Sequence, residues 1–153
     1  MDMTVELPTD PSQIDAADRG ERRAVLEMDH EAAVDRVQTA MKDAGFGIAT
    51  MFSPSTMLND AVDAEMDPYT VVGACNPNVA VDALAETDGE MGGLFPCNVV
   101  VEQQPDGSQL VYHVSIMKVA RLVGLAPDSE AWDEIVERTG EHLDEAWAAL
   151  DQN

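Results

Sequence analysis

The chain has 153 residues, a length that fits one domain with an ordinary core, and 45% of them are hydrophobic. Its 30 acidic residues stand against 8 Lys plus Arg, for a formal net charge of −22. That balance excludes nucleic acid as a ligand, because phosphate binding needs clustered basic residues, and no apolar run reaches the ~18 residues of a membrane span.

The acids are spread along the whole chain rather than gathered in one block. In dilute buffer such a chain repels itself; in molar salt the Debye length falls to about 3 Å and the repulsion is screened. A halophile's cytoplasmic protein is the expectation. The N-terminus agrees with it, having no basic stretch followed by an apolar one that would direct export. The competing reading, an acidic patch for a basic partner, calls for a block of like charge that the sequence lacks. Cys75 and Cys97 are the two cysteines, too few for a disulfide framework, so free thiols are expected.

In chain order, residues 1–21 form an acidic N-terminal extension containing Pro8 and Pro11, expected to be loosely held, with a short strand at Thr4–Leu7. A single domain is expected over 22–150, opening with a strand at Arg23–Met28. Asp29 caps a helix in which Val34, Val37, Met41 and Ala44 recur at helical spacing and Gly45 stops the run. Phe46–Phe52 is predicted as a strand with Phe46, Ile48, Thr50 and Phe52 on one face. Ser53-Pro54 starts a short helix with Leu58, Val62 and Met66 as its apolar stripe. Tyr69–Cys75 is the third strand. Asn76-Pro77 repeats the cap-then-proline start, with Pro77, Val81 and Leu84 as the inner stripe.

Leu94–Gln103 and Gln109–Ser115 form a hairpin about Pro105-Asp106-Gly107. Pairing Gln103 with Leu110 and Val99 with Val114 gathers Phe95, Cys97, Val99, Val101, Leu110, Tyr112, Val114 and Ile116 on one wholly apolar face. The other face, with Asn98, Val100, Val111 and His113, is mixed. A long helix from Ser129 to Leu150 closes the domain, with Trp132, Val136, Leu143, Trp147 and Leu150 inward and Glu134 placed to pair with Arg138.

Few residues carry chemistry. Cys75 ends a strand directly before a helix capped by Asn76, where backbone N–H groups and the helix dipole favour a thiolate; the plain alternative is a small residue filling a strand end. Cys97 lies in the core in the register above, which raises its pKa. If the two strands are neighbours, the sulfurs allow a redox couple or a soft-metal site with Met51 or Met117, although the spacing matches no zinc pattern. Asn98 is an unusual strand-interior residue beside His113; it either bonds a neighbouring backbone or lines a ligand groove or dimer seam. His30, His113 and His142 have no metal-ligand spacing. No nucleophile elbow or phosphate-cradling glycine loop is present, so no catalytic residue, metal or cofactor is assigned.

Gly45-Phe46-Gly47, Val72-Gly73-Ala74-Cys75-Asn76-Pro77 and Leu94-Phe95-Pro96-Cys97-Asn98-Val99-Val100-Val101, in this order, resemble the domain-of-unknown-function 302 family over roughly Arg22 to Leu150. Where members often carry Asp-Pro after the second hairpin strand, this chain has Ser115-Ile116-Met117. The resemblance implies an α+β fold similar to the TATA-box-binding-protein-like group, a curved, mainly antiparallel sheet packed against helices. It also implies a homodimer, and no reaction. The element order reaches the same fold class independently. The functional expectation is a non-catalytic, dimeric binding or interaction module. It holds a small ligand on the mixed hairpin face, with Cys75, Asn76, Cys97, Asn98 and His113 as candidate binding residues. The alternative is a thiol-based redox or soft-metal-binding protein using Cys75 with Cys97.

Overall fold

Polar caps open every α-helix, and short runs rich in Val, Thr and Ala form the strands between them. The computed structural model describes residues 5–151. Its elements are β1 (Arg22–Leu26), α1 (His30–Asp43), β2 (Gly47–Phe52), α2 (Pro54–Val62), β3 (Tyr69–Cys75), α3 (Pro77–Glu86), β4 (Cys97–Gln103), β5 (Gln109–His113), α4 (Ile116–Leu122) and α5 (Glu130–Leu150), with short 3₁₀ helices at Pro11–Gln13 and Glu90–Leu94. One sheet in the order β1-β5-β4-β3-β2 has every neighbouring pair antiparallel. The result is a single α+β domain, as expected. No helix among the described residues is long and apolar enough to cross a membrane.

The caps form as the sequence implies. Asp29, Ser53 and Asn76 accept from the backbone N–H groups of Ala32, Thr56 and Val79, each bond worth ~1 kcal/mol. Ser129 does the same for Trp132 at the start of α5. Helix α1 and the C-terminal half of α5 cover one sheet face, where Val37, Met41, Leu143 and Trp147 meet Leu26, Val72, Val99 and Val111. A second cluster lies beyond the strand ends. There Val79, Met91, Cys97, Met117, Trp132 and Ile135 bring together α3, α4 and the N-terminal half of α5.

Five expectations give way to the structure. First, the hairpin is slipped by one residue: Gln103 pairs with Gln109 and Val101 with Val111. The loop holds five residues, closed by Gln104 N–H donating to the Ser108 carbonyl at 2.8 Å, with Gly107 at φ +87°. The core face therefore carries Gln109 and His113, and Leu110 and Tyr112 turn to the other side. Buried polar groups are tolerated when bonded. Gln109 accepts from His30 Nδ1 at 2.8 Å and donates to Gln103 Oε1 at 3.3 Å, and His30 Nε2 meets the Thr70 hydroxyl at 2.8 Å.

Second, β2 does not keep one face. A bulge at Ala49 leaves Ile48 opposite Ala74 but Thr50 opposite Gly73, so Thr50 and Phe52 face away from the core that holds Phe46. Third, α2 buries only Ser55; Met57, Leu58 and Val62 are exposed. Hydrogen bonds anchor this helix instead: the Ser53 hydroxyl donates to the Tyr69 carbonyl at 3.0 Å, and Asn59 bonds both backbone groups of Met66. Fourth, α3 turns Val79, Ala80 and Ala83 inward and leaves Val81 exposed, and Arg138 pairs with Asp82 of α3 at 2.7 Å rather than with Glu134.

Fifth, the segment before β1 is pinned at its end. Ser115 N–H donates to the Arg19 carbonyl at 2.9 Å and Lys118 Nζ to the Ala17 carbonyl at 3.1 Å. Gly20, at φ +62°, sits where a Cβ would lie 2.6 Å from the Ser115 Cβ. Of the strand expected at Thr4–Leu7, Thr4 lies outside the described residues and 5–7 form no strand. Helix α4 was not anticipated; Ser115, which caps it through Lys118 N–H, was its signal in the sequence.

Candidate functional site

Strands β3 and β4 run antiparallel, so the end of one lies beside the start of the other. Ala74 pairs with Cys97, which places Cys75 diagonally across from it. Beyond Cys75 the chain turns at once into α3 through the Asn76 cap, whose side chain accepts from Val79 N–H at 3.3 Å. The β2 bulge brings Ala49 and Thr50 alongside. Gly73 permits the closeness: a Cβ there would lie 2.5 Å from Thr50 Cγ2 and 2.7 Å from Pro96 Cγ.

Between the two core clusters, at these strand ends, is a cavity of about 270 Å³. Cys75, Asn76 and Cys97 line it, with Phe46 and Val79 as apolar walls, Met117 from α4 and Thr139 from α5. Met117 is held in place by its carbonyl, which accepts from Trp132 Nε1 at 3.0 Å. The wall is mainly apolar; its polar side chains besides the thiols are Thr50, Asn76 and Thr139. Asn76 is committed through its oxygen to the helix cap. Thr139 is 4% exposed, and its hydroxyl has almost no accessible surface and no partner among the described residues. A buried hydroxyl without a partner costs ~1–3 kcal/mol, a cost that a ligand in the adjoining cavity would relieve only by drawing the hydroxyl out of the wall.

The thiols differ. Cys75 is half-buried and Cys97 buried. Burial pushes the Cys97 thiol up to about 12, and the neighbouring Cys75 adds to the rise. Cys97 therefore holds its proton at neutral pH and is a poor nucleophile unless a cation takes the proton's place.

Of the five candidate residues, Cys75, Asn76 and Cys97 come together in this cavity, and Asn98 and His113 do not line it. The mixed face is corrected by the one-residue slip. Asn98 is exposed on the side of the sheet away from α1 and α5, whereas Val111 and His113 lie in the core. His113 donates from Nδ1 to the Asn98 carbonyl at 2.8 Å, while its Nε2 is buried with no partner among the described residues and its ring lies 5.8 Å from that of Trp147. Burial brings His113 down to about 4. Thr139, absent from the candidates above, carries a signal in the sequence: it falls one turn from Ile135 and one from Leu143, a polar residue inside an apolar stripe. Met117, named as one of two possible sulfur donors, lines the cavity; Met51 lies elsewhere, beside His30 and Ser53.

Among curated proteins none matches the chain. Among solved structures it is similar to the crystal structure of an uncharacterized conserved protein DUF302 from Bacillus stearothermophilus. The identity is 22%, the TM-score 0.70, and the match covers 86% of this chain and 95% of that one. At that identity the likeness establishes the fold. The family model described as "Domain of unknown function DUF302" matches residues 22–150, a span that takes in every strand and all five α-helices. The chain belongs to the DUF302 family.

Proposed function

We propose that this protein is a non-catalytic binding domain that takes a small ligand into the cavity at the ends of β3 and β4. The supporting observation is a mainly apolar cavity one of whose lining residues, Thr139, has a buried hydroxyl with no partner among the described residues. Pockets of this kind pair an apolar lining with a few placed polar groups that fix orientation. A catalytic use of the same residues is less well supported, since the buried Cys97 keeps its proton and no acid–base pair stands with the thiols.

Cyclohexanone, an apolar ring with one carbonyl acceptor, probes the site. Titrated into ¹⁵N-labelled protein in 2 M KCl, it is expected to shift the amide resonances of Val79, Ala80 and Thr139. Shifts confined to Asn98, Val100 and Tyr112, or no shifts at all, would place binding elsewhere and overturn the assignment.

We further propose a homodimer working in a salt-rich cytoplasm. The family resemblance and the net charge of −22 motivate it. So does the sheet face away from α1 and α5, where Val25 and Phe52 are exposed and Val100, Leu110 and Tyr112 are half-buried. Sedimentation velocity in 2 M KCl is expected to give twice the chain mass and Val25→Asp to give the monomer. In 0.1 M KCl self-repulsion is expected to expand the chain. A compact monomer in both salts would contradict this proposal.

A further inference from the structure

We infer that the cavity's ligand is a single soft monovalent metal ion of the Cu(I) type, held by the sulfurs of Cys75, Cys97 and Met117. The inference rests on the cavity being the binding site and names the class of ligand it takes. Three soft donors converge there from three separate elements, the end of β3, the start of β4 and α4. Thiolate and thioether donors select Cu(I), whereas hard cations require a shell of oxygens that Asn76 and Thr139 cannot supply. Among the described residues no group of three or more His, Cys, Asp or Glu is placed to hold a metal, which leaves the sulfurs as the donor set.

The strand register argues for a bridging atom rather than a direct disulfide. Ala74 is the cross-strand partner of Cys97 and shares its face, so Cys75, next in the chain, leaves the pleat on the opposite side. Cβ vectors that diverge in this way resist an S–S bond without backbone movement, yet both residues border one cavity. An ion bonded to both sulfurs requires the two side chains to turn toward each other at the strand end. The binding step is an exchange: the two thiols release two protons, two Cu–S bonds form, Met117 donates a lone pair, and copper stays Cu(I). The thiol that burial keeps protonated at neutral pH thereby becomes a ligand, the ion offsetting one of the two thiolate charges and leaving a single net negative charge on the site. Thr139, on α5, borders the same cavity.

The test is competition with the chelator bathocuproine disulfonate, using the reduced full chain in concentrated potassium acetate, which avoids chloride complexes of Cu(I). One Cu(I) per chain is expected to leave the chelator, with binding tightening at higher pH as protons are released. Cys75→Ser and Cys97→Ser are each expected to weaken binding by at least ~100-fold and Met117→Leu by ~10-fold; Met51→Leu is expected to match the parent. Should Cys97→Ser not fold, X-ray absorption on the parent protein reads the donors directly, with a shell of two or three sulfurs expected. Failure to compete with the chelator, undiminished binding in Cys75→Ser, or a nitrogen or oxygen shell would overturn the inference. A chain that responds to cyclohexanone but refuses Cu(I) removes the metal alone; one that takes neither removes the cavity reading with it.

Discussion

Trp132→Ala is expected to be the most damaging single change in the chain, lowering the free energy of unfolding by about 3–5 kcal/mol. Trp132 is fully buried at the centre of the second core cluster. Its loss leaves a large void among Val79, Met91, Met117 and Ile135. It also removes the hydrogen bond from Nε1 to the Met117 carbonyl, a tie between α5 and α4. For a domain of this size the fall in Tm is about 10 °C or more, read by thermal unfolding in 2 M KCl. Trp132→Phe separates the two causes: it keeps most of the volume and loses the bond, so its cost is expected to be ~1–3 kcal/mol. Because that bond fixes α4 against α5, the phenylalanine variant is also expected to blur the cavity, with weaker cyclohexanone shifts than the parent. A Trp132→Ala protein as stable as the parent would mean that the second cluster contributes little to the fold.

The second large effect is acid sensitivity centred on His113. In the folded chain burial opposes protonation of the imidazole and brings its pKa to about 4; the Asn98 carbonyl pulls the other way, and Arg22 adds a small repulsion. In the unfolded chain the same group titrates near the ordinary value of 6.5. Between the two values the unfolded state binds the proton and the folded state does not, so stability rises with pH across that window. The contribution is complete above about 6.5 and is lost as the pH falls toward 4. A shift of this size corresponds to about 3 kcal/mol.

Two other effects bear on the same measurement. Acidification relieves the repulsion of a −22 chain, which opposes the loss. Asp10, Asp15, Glu21 and Asp106 are each held below their ordinary values, chiefly by hydrogen bonds, so their contribution fades below the His113 window. His113→Gln isolates the imidazole: chemical unfolding of parent and variant between pH 7 and pH 4 is expected to converge as the pH falls. Parallel curves would remove His113 as the cause.

How much of this was legible in the sequence depended on whether the deciding interaction was local. Cap-and-proline pairs at Ser53-Pro54 and Asn76-Pro77 set α2 and α3 correctly because the hydroxyl or amide bonds a backbone group three residues away. Gly45, at φ +99°, marked the end of α1 for an equally local reason. The hairpin register follows from the turn, and a turn centred on Pro105 to Ser108 makes the loop one residue too short, since Gln104 belongs to it. In fact Gln109 and His113 occupy the core, and a network running through His30, Thr70 and Gln103 satisfies Gln109. Those partners lie on other elements, invisible to a pattern of alternation. The same limit applies to Ala49, whose bulge splits β2 between two faces through its pairing with β3.

The site was half visible. Cys75, Asn76 and Cys97 stood out as residue types at a strand end and a strand start. Their meeting required β3 and β4 to be neighbours, a fact of topology. Thr139 and Met117 enter from helices distant in sequence, and the packing of α4 on α5 decides their place in the wall.

Thr139→Val is the most direct test of ligand binding in the cavity, measured by thermal unfolding and by cyclohexanone titration on the same samples. Valine matches threonine in shape and lacks the unpartnered hydroxyl. The variant is therefore expected to be more stable than the parent without the probe, by about 1 kcal/mol, and to bind cyclohexanone about 5-fold more weakly, the order expected for loss of one hydrogen bond of that size. A variant that is less stable than the parent, or that binds the probe as tightly, would show that the hydroxyl serves the fold rather than a ligand.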